Sequence, residues 1–121
     1  MSETGEDFGA VSKTLTAKEI AQEVYEVGLD NDIPPKKVII FGSYAKGEQT
    51  AKSDADVVVI SSEIDEDDYY ARNYYWDWDW DYDKFPTLDL IVLRPKEFEE
   101  YKNRDGHIVH EASKTGKEFK F

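Results

Sequence analysis

The sequence predicts a small α/β domain, because three buried-strand patterns lie between segments with helical patterns. Lys36–Phe41, Asp54–Ile60 and Leu88–Leu93 are short, rich in β-branched residues and apolar over most of their length. Such runs are typical of strands buried on both faces. Helical patterns precede the first run and follow the last. The chain has 121 residues, which suits a single domain.

The first predicted helix covers residues 17 to about 29, where apolar side chains recur at helical spacing. Thr16 and Glu19 have the spacing of a capping box, in which each side chain satisfies a backbone N–H of the first turn. Gly28 is expected to mark the end of this helix. Residues 1–14 show no periodicity and are predicted to be a flexible leader.

The segments around the other two strands predict a turn and two further helices. Residues 42–53 form a turn with room for a short helix. Pro95 suits the first turn of a helix that stops near Gly106. The tail is predicted to form another short helix ending near Gly116, followed by a few extended residues.

The segment between the second and third strands combines acidic and aromatic residues. Tyr74–Asp83 alternates aromatic rings with aspartates almost strictly, as a strand does. The acids at residues 65–68 instead favour a helix N-terminus. We expect a helix from about Asp67 to Trp76 and extended chain after it. About half of the rings should pack in the core, and residues 69–82 are a candidate docking surface for a basic partner.

The composition excludes several classes of function. The net charge of −12 argues against electrostatically driven nucleic-acid binding and favours cations or a basic partner as ligands. Cysteine is absent, which excludes disulfides and thiolate zinc sites and fits a cytoplasmic location. No apolar run approaches the ~18 residues of a membrane span, and no signal peptide is evident. The sequence leaves homo-oligomerisation open.

Three carboxylates predict a divalent metal site. Asp54 and Asp56 are two apart at the start of a strand, so their side chains point to one face and repel each other. Asp89 stands at the start of the next strand, which would bring it beside this pair. Mg²⁺ takes one or two carboxylates together with substrate phosphates. Three carboxylates around two metal ions can promote in-line phosphoryl or nucleotidyl transfer.

The residues before this pair suit a phosphate. Gly42 and Ser43 directly follow the first strand, where glycine allows close backbone approach and serine offers a hydroxyl. Lys52 is a further candidate for a phosphate contact, although a solvated lysine is an equally good interpretation. His107 and His110 are three residues apart, but a surface helix explains them better than a metal site.

The two motifs occur together with the spacing of a known family. Gly42-Ser43, ten further residues, then Asp54-Ala55-Asp56 resembles the signature of the minimal nucleotidyltransferases of the DNA polymerase β superfamily. Asp89 falls at the position of that family's third carboxylate, with Asp83 as a lesser candidate. The resemblance covers roughly residues 15–120, so that residues 15–121 are predicted to be a minimal nucleotidyltransferase domain.

The resemblance implies a mixed sheet with helices on one side and Mg²⁺-dependent transfer of a nucleoside monophosphate from an NTP to a hydroxyl. It implies that Asp54, Asp56 and Asp89 bind metal and that Gly42 and Ser43 bind phosphates. It also implies a helical HEPN-type protein partner in a toxin–antitoxin pair, with AMP from ATP as the transferred group. Two alternatives stay open: a binding module that acts by contact alone, and a transferase for a small molecule such as an aminoglycoside.

Overall fold

The computed structural model describes residues 15–121, which form a four-stranded mixed sheet with helices on both faces. The predicted leader, residues 1–14, lies outside the described residues. The strand order is β3-β2-β1-β4. β1 is antiparallel to β2 and β4, and β2 is parallel to β3. The strands are β1 Lys37–Phe41, β2 Ala55–Ile60, β3 Leu88–Leu93 and β4 Lys117–Lys120. The α/β class and the three predicted strands are confirmed.

The helices also match the prediction outside the aromatic segment. In α1, the Thr16 hydroxyl accepts a hydrogen bond from the Glu19 N–H at 3.2 Å, and the Glu19 carboxylate accepts one from the Thr16 N–H at 2.9 Å. α1 continues past Gly28, where the Ile33 carbonyl and the Trp76 ring leave no room for a Cβ. The helices are α1 Ala17–Asp30, α2 Ser43–Lys46, α3 Tyr74–Asp77, α4 Pro95–Lys102 and α5 Ile108–Thr115. No helix among residues 15–121 is long and apolar enough to span a bilayer.

The sheet has an apolar cluster on each face, so the expectation of helices on one side is wrong. One cluster joins α1 and the aromatic segment to alternate strand residues such as Ile40 and Val57. The other joins α4 and α5 to the intervening residues, such as Ile39 and Val58. Both sets of alternate residues are apolar, so both faces of the sheet require a cover.

The aromatic segment differs from its prediction. A short 3₁₀ turn at Ala71–Asn73 precedes α3, and the chain after Trp76 turns instead of extending. The Trp80 N–H donates to the Trp76 carbonyl at 3.0 Å. Both indoles are buried, and their N–H groups donate to backbone carbonyls at 2.9 and 2.8 Å. The four-residue spacing of these two tryptophans, which suits a helical turn, outweighed the aromatic–acidic alternation.

A buried arginine fixes the connection between β2 and β3. The Arg72 guanidinium is 1% exposed and donates to both carboxylate oxygens of Glu97, at 2.7 and 3.1 Å. It also donates to the carbonyls of Val92 and Glu66. Burial acts to raise the pKa of Glu97, but the hydrogen bonds from Arg72 and the Arg94 N–H hold it below its usual range. The connection is therefore held against the end of β3 and the first turn of α4.

Candidate functional site

Three aspartates lie at the edge of the sheet where β2 and β3 begin. Asp56 and Asp89 are register partners on these parallel strands, so their side chains point to the same face. The Ala55 N–H donates to the Thr87 carbonyl at 2.9 Å, which aligns the starts of the two strands. Asp54 lies two residues before Asp56, outside the strand, and is exposed. The structure thus brings Asp89 beside Asp56 from a separate part of the chain.

The electrostatics of this edge favour a cation. Burial raises the pKa of Asp56 above its usual value, and the charge of Asp89, a hydrogen bond shared with Asp89 and the charge of Asp54 raise it further. A half-buried carboxylate beside two others is stabilised by any bound positive charge. The site therefore carries an excess of negative charge at one point of the sheet edge.

Gly42 places the chain directly against this carboxylate. It follows Phe41, the register partner of Asp56, and its φ of 69° and ψ of −145° lie in a region almost confined to glycine. A Cβ added at Gly42 would collide with the Asp56 Oδ2 atom. The Gly-Ser and Asp-x-Asp motifs, twelve positions apart in sequence, are therefore in direct contact.

The other predicted phosphate contacts differ in their placement. Ser43 begins α2, and its hydroxyl makes no hydrogen bond to any residue from 15 to 121, so it is available to a ligand. Lys52 is exposed and forms no ion pair within the described part of the chain. The predicted role of Lys52 stays a prediction.

Sequence analysis missed Tyr44 as a neighbour of this site. Tyr44 follows Ser43 and is only 3% exposed. Burial raises the pKa of its phenol, and the charge of Asp54 raises it further. Its place inside an otherwise polar turn was the available signal, since a large aromatic side chain there needs the core to cover it.

Comparison with known proteins identifies the family. The family model that describes the nucleotidyltransferase domain matches residues 18–115, which is most of the chain. This chain belongs to the nucleotidyltransferase domain family. The assignment confirms the resemblance stated above.

Two known proteins are similar to this chain. The chain is 40% identical over 85 residues to a Methanocaldococcus jannaschii protein named "putative protein adenylyltransferase", with 69% of this chain and 81% of that protein covered. A crystal structure of a "putative nucleotidyltransferase" from Sulfolobus solfataricus is 28% identical, with a TM-score of 0.45 over 68% of this chain and 70% of that one.

The residues of this nucleotidyltransferase domain fit Mg²⁺, although no ready-made cage is present. Within the described range, no group of three or more His, Cys, Asp or Glu side chains is arranged to hold a metal ion. Mg²⁺ does not need such a group, since it keeps several waters and takes one or two carboxylates plus substrate phosphates. Asp56 and Asp89 supply that pair, with Asp54 adjacent.

The two histidines and Asp83, the other candidate metal ligands, make contacts of their own. His107 accepts a hydrogen bond from the Val109 N–H at 3.1 Å, and a ring nitrogen of His110 lies 2.8 Å from the Lys102 carbonyl oxygen. Asp83 is exposed in the turn after Trp80, where its N–H donates to an Asp81 carboxylate oxygen. Asp89, unlike Asp83, stands in register with Asp56; which of the two is the third carboxylate stays a prediction.

The contact between Gly42 and Asp56 is testable by comparing two glycines. Gly42→Ala should abolish nucleotide binding and destabilise the fold, because the new methyl group displaces the Asp56 carboxylate. Gly47→Ala is the matched control: φ is 72° there too, but no atom lies within 4 Å of the added Cβ. It should cost only about 1–2 kcal/mol of stability from the left-handed backbone and leave binding intact. Calorimetry with ATP and Mg²⁺ measures the difference, and equal binding by both variants would show that the contact is unimportant.

Proposed function

We propose that this chain is a Mg²⁺-dependent nucleotidyltransferase that transfers a nucleoside monophosphate, AMP from ATP, to a hydroxyl group of a partner protein. The observation that carries the proposal is the register pairing of Asp56 with Asp89 beside the Gly42 backbone. This arrangement supplies carboxylates and an approachable backbone at one point. Both are needed to hold a triphosphate with its counterions.

Each residue of the site has a role in this proposal. Asp54, Asp56 and Asp89 hold the cations, which when bound neutralise the phosphates and lower the pKa of the acceptor hydroxyl. Gly42 lets the triphosphate approach the backbone, and the Ser43 hydroxyl donates a hydrogen bond to a phosphate oxygen.

The bond changes follow from this placement. The oxygen of the acceptor hydroxyl forms a bond to the α-phosphorus of ATP. The bond from that phosphorus to the oxygen bridging the α- and β-phosphates breaks at the same time. Pyrophosphate leaves with the electron pair of the broken bond. In this proposal the Asp89 carboxylate, which is exposed, receives the proton of the hydroxyl.

The acceptor is proposed from chemistry and from the name of a relative. The Methanocaldococcus jannaschii relative bears the name "putative protein adenylyltransferase". A helical HEPN-type protein is our proposed acceptor, as the resemblance implies. The roles proposed here for Gly42, Ser43 and the three aspartates concern only metal and phosphate, so we propose that a second protein orients the acceptor. Such orientation contributes as much as ~7–11 kcal/mol to a reaction of this kind.

Label transfer tests this proposal. The purified chain is incubated with ATP labelled at the α-phosphate, Mg²⁺ and either a HEPN-type protein or an aminoglycoside. We expect label on the protein, and none when a chelator is added. Label on the aminoglycoside alone would make the chain a small-molecule transferase. Absence of label from both acceptors would favour a binding module and overturn the proposal.

A further inference from the structure

A cluster of exposed aromatic and acidic side chains, here called the Trp78 patch, comprises Tyr74, Asp77, Trp78, Asp79 and Tyr82. The Trp78 ring is 83% exposed, and those of Tyr74 and Tyr82 are 63% and 51% exposed. The Tyr82 hydroxyl lies 3.5 Å from an Asp77 oxygen. Large exposed rings with a polar rim are typical of interaction surfaces.

A second feature has the opposite chemistry. A pocket of about 410 Å³, here called the Lys36 pocket, lies where β1 begins and where β2 and β4 end. Its walls combine three lysines with apolar side chains: Lys36, Lys37, Ile60, Phe98, Lys120 and Phe121. Ile60 is four residues beyond Asp56 on β2, about 13 Å along the strand. The pocket is therefore separate from the nucleotide site.

The lysines of this pocket are only partly neutralised. Lys37 pairs with Glu118 at 2.9 Å and lies 5.1 Å from the centre of the Phe98 ring. The ammonium groups of Lys36 and Lys120 form no ion pair with any residue between 15 and 121. The one acid on the wall, Glu99, pairs with Lys102 at 3.0 Å. In a chain of net charge −12, this is a local excess of positive charge over an apolar floor.

We propose that the Trp78 patch of one copy docks in the Lys36 pocket of a second copy. The indole packs against Phe121, which is 44% exposed and stacks on Tyr25, and beside the nearly buried Phe98. Asp77 faces the unpaired lysines, as does Asp79, whose carboxylate also accepts a hydrogen bond from Asn31 at 2.9 Å. Aromatic anchors in apolar pockets, with charges at the rim, are the usual arrangement of such contacts. The pocket also lies within the common size range of ligand pockets, roughly 300–1,000 Å³.

The two surfaces lie on opposite faces of the sheet, which defines the type of association. The tryptophans on either side of the patch, Trp76 and Trp80, belong to the core beneath α1. Phe98 and Ile60 belong to the core beneath α4 and α5. The contact is therefore head-to-tail, and each dimer keeps one free patch and one free pocket. Larger assemblies form as the concentration rises.

Complementation between two variants tests this contact. Trp78→Ala removes the aromatic anchor of the patch. The double variant Lys36→Glu, Lys120→Glu reverses the charge of two lysines in the pocket. Each variant alone should self-associate at least tenfold more weakly than the parent in sedimentation equilibrium. An equimolar mixture should recover the contact and stop at a dimer, because one intact patch and one intact pocket remain. Lys18→Glu, Lys114→Glu is the charge-matched control on exposed helical positions and should associate like the parent, apart from the added repulsion that salt screens.

Four results would overturn the proposal. The parent protein could stay monomeric up to ~1 mM, a concentration at which even weak specific contacts form, or Trp78→Ala could associate as strongly as the parent. The mixture of variants could fail to recover the dimer, or the control variant could weaken association as much as the pocket variant does. Nucleotide binding at Asp56 is measured separately, so this failure is distinguishable from a failure of the proposed function.

Discussion

Replacing Asp56 by Asn should remove metal-dependent nucleotide binding and lower nucleotidyl transfer by about 10³-fold, the loss typical for one preorganised electrostatic group. Asp56 is the register partner of Asp89, and its carboxylate lies against the Gly42 backbone. Without its charge, the proposed metal site keeps only Asp54 and Asp89. Titration calorimetry with ATP and Mg²⁺, followed by the label-transfer assay, measures both effects.

The same variant should not lose stability. Burial and the neighbouring carboxylates raise the pKa of Asp56, so its ionised form is held in the metal-free fold at a cost. Asp56→Asn removes that cost, and its free energy of unfolding in chelator should equal or exceed that of the parent. Asp65→Asn, an exposed aspartate away from the site, is the control and should change neither binding nor stability. A large loss of stability in Asp56→Asn would show that the aspartate is structural.

Replacing Trp76 by Ala should destabilise the protein by about 3–5 kcal/mol, the usual cost of removing a large core aromatic. The Trp76 ring is fully buried, and its indole N–H donates to the Val24 carbonyl at 2.9 Å. Trp78→Ala, two residues away, should stay within about 0.5 kcal/mol of the parent because its ring faces solvent. Urea unfolding of the two variants measures the contrast. Equal losses would place Trp78 in the core or Trp76 outside it.

This contrast changes how the aromatic segment must be tested for partner binding. The predicted docking surface, residues 69–82, contains all three tryptophans, but Trp76 and Trp80 are buried in the core beneath α1. A loss of partner capture in either variant would reflect unfolding. Trp78 is the one indole of the three that is free to contact another protein.

The strands were predictable because every local pattern there agrees. β1, β2 and β3 are short apolar runs, and polar residues stand at the ends where the site forms. The side-chain period of two predicts that Asp54 and Asp56 share a face, but Asp54 lies just before β2, where the strand period does not apply. The contact between Gly42 and Asp56 was not predictable, since it depends on the antiparallel pairing of Phe41 with Asp56.

The aromatic segment was not predictable because its local patterns conflict. Alternation of rings and aspartates indicates a strand, while the spacing of Trp76 and Trp80 suits a helical turn. Burial against α1 decided between them, and that contact joins residues 52 positions apart. The Arg72–Glu97 pair was missed for a similar reason: Arg72 lies in no motif, and only the packed connection brings it to Glu97.

Paramagnetic broadening by Mn²⁺ tests the central claim most directly, since Mn²⁺ takes the same oxygen ligands as Mg²⁺. Amide NMR spectra of the full chain are recorded with a non-hydrolysable ATP analogue as Mn²⁺ is added in small amounts. We expect the signals of Gly42, Asp56 and Asp89 to broaden first, while those of Lys36 and Trp78 stay sharp. Early broadening centred on the acidic residues 65–68, with sharp signals at Gly42 and Asp89, would contradict the account.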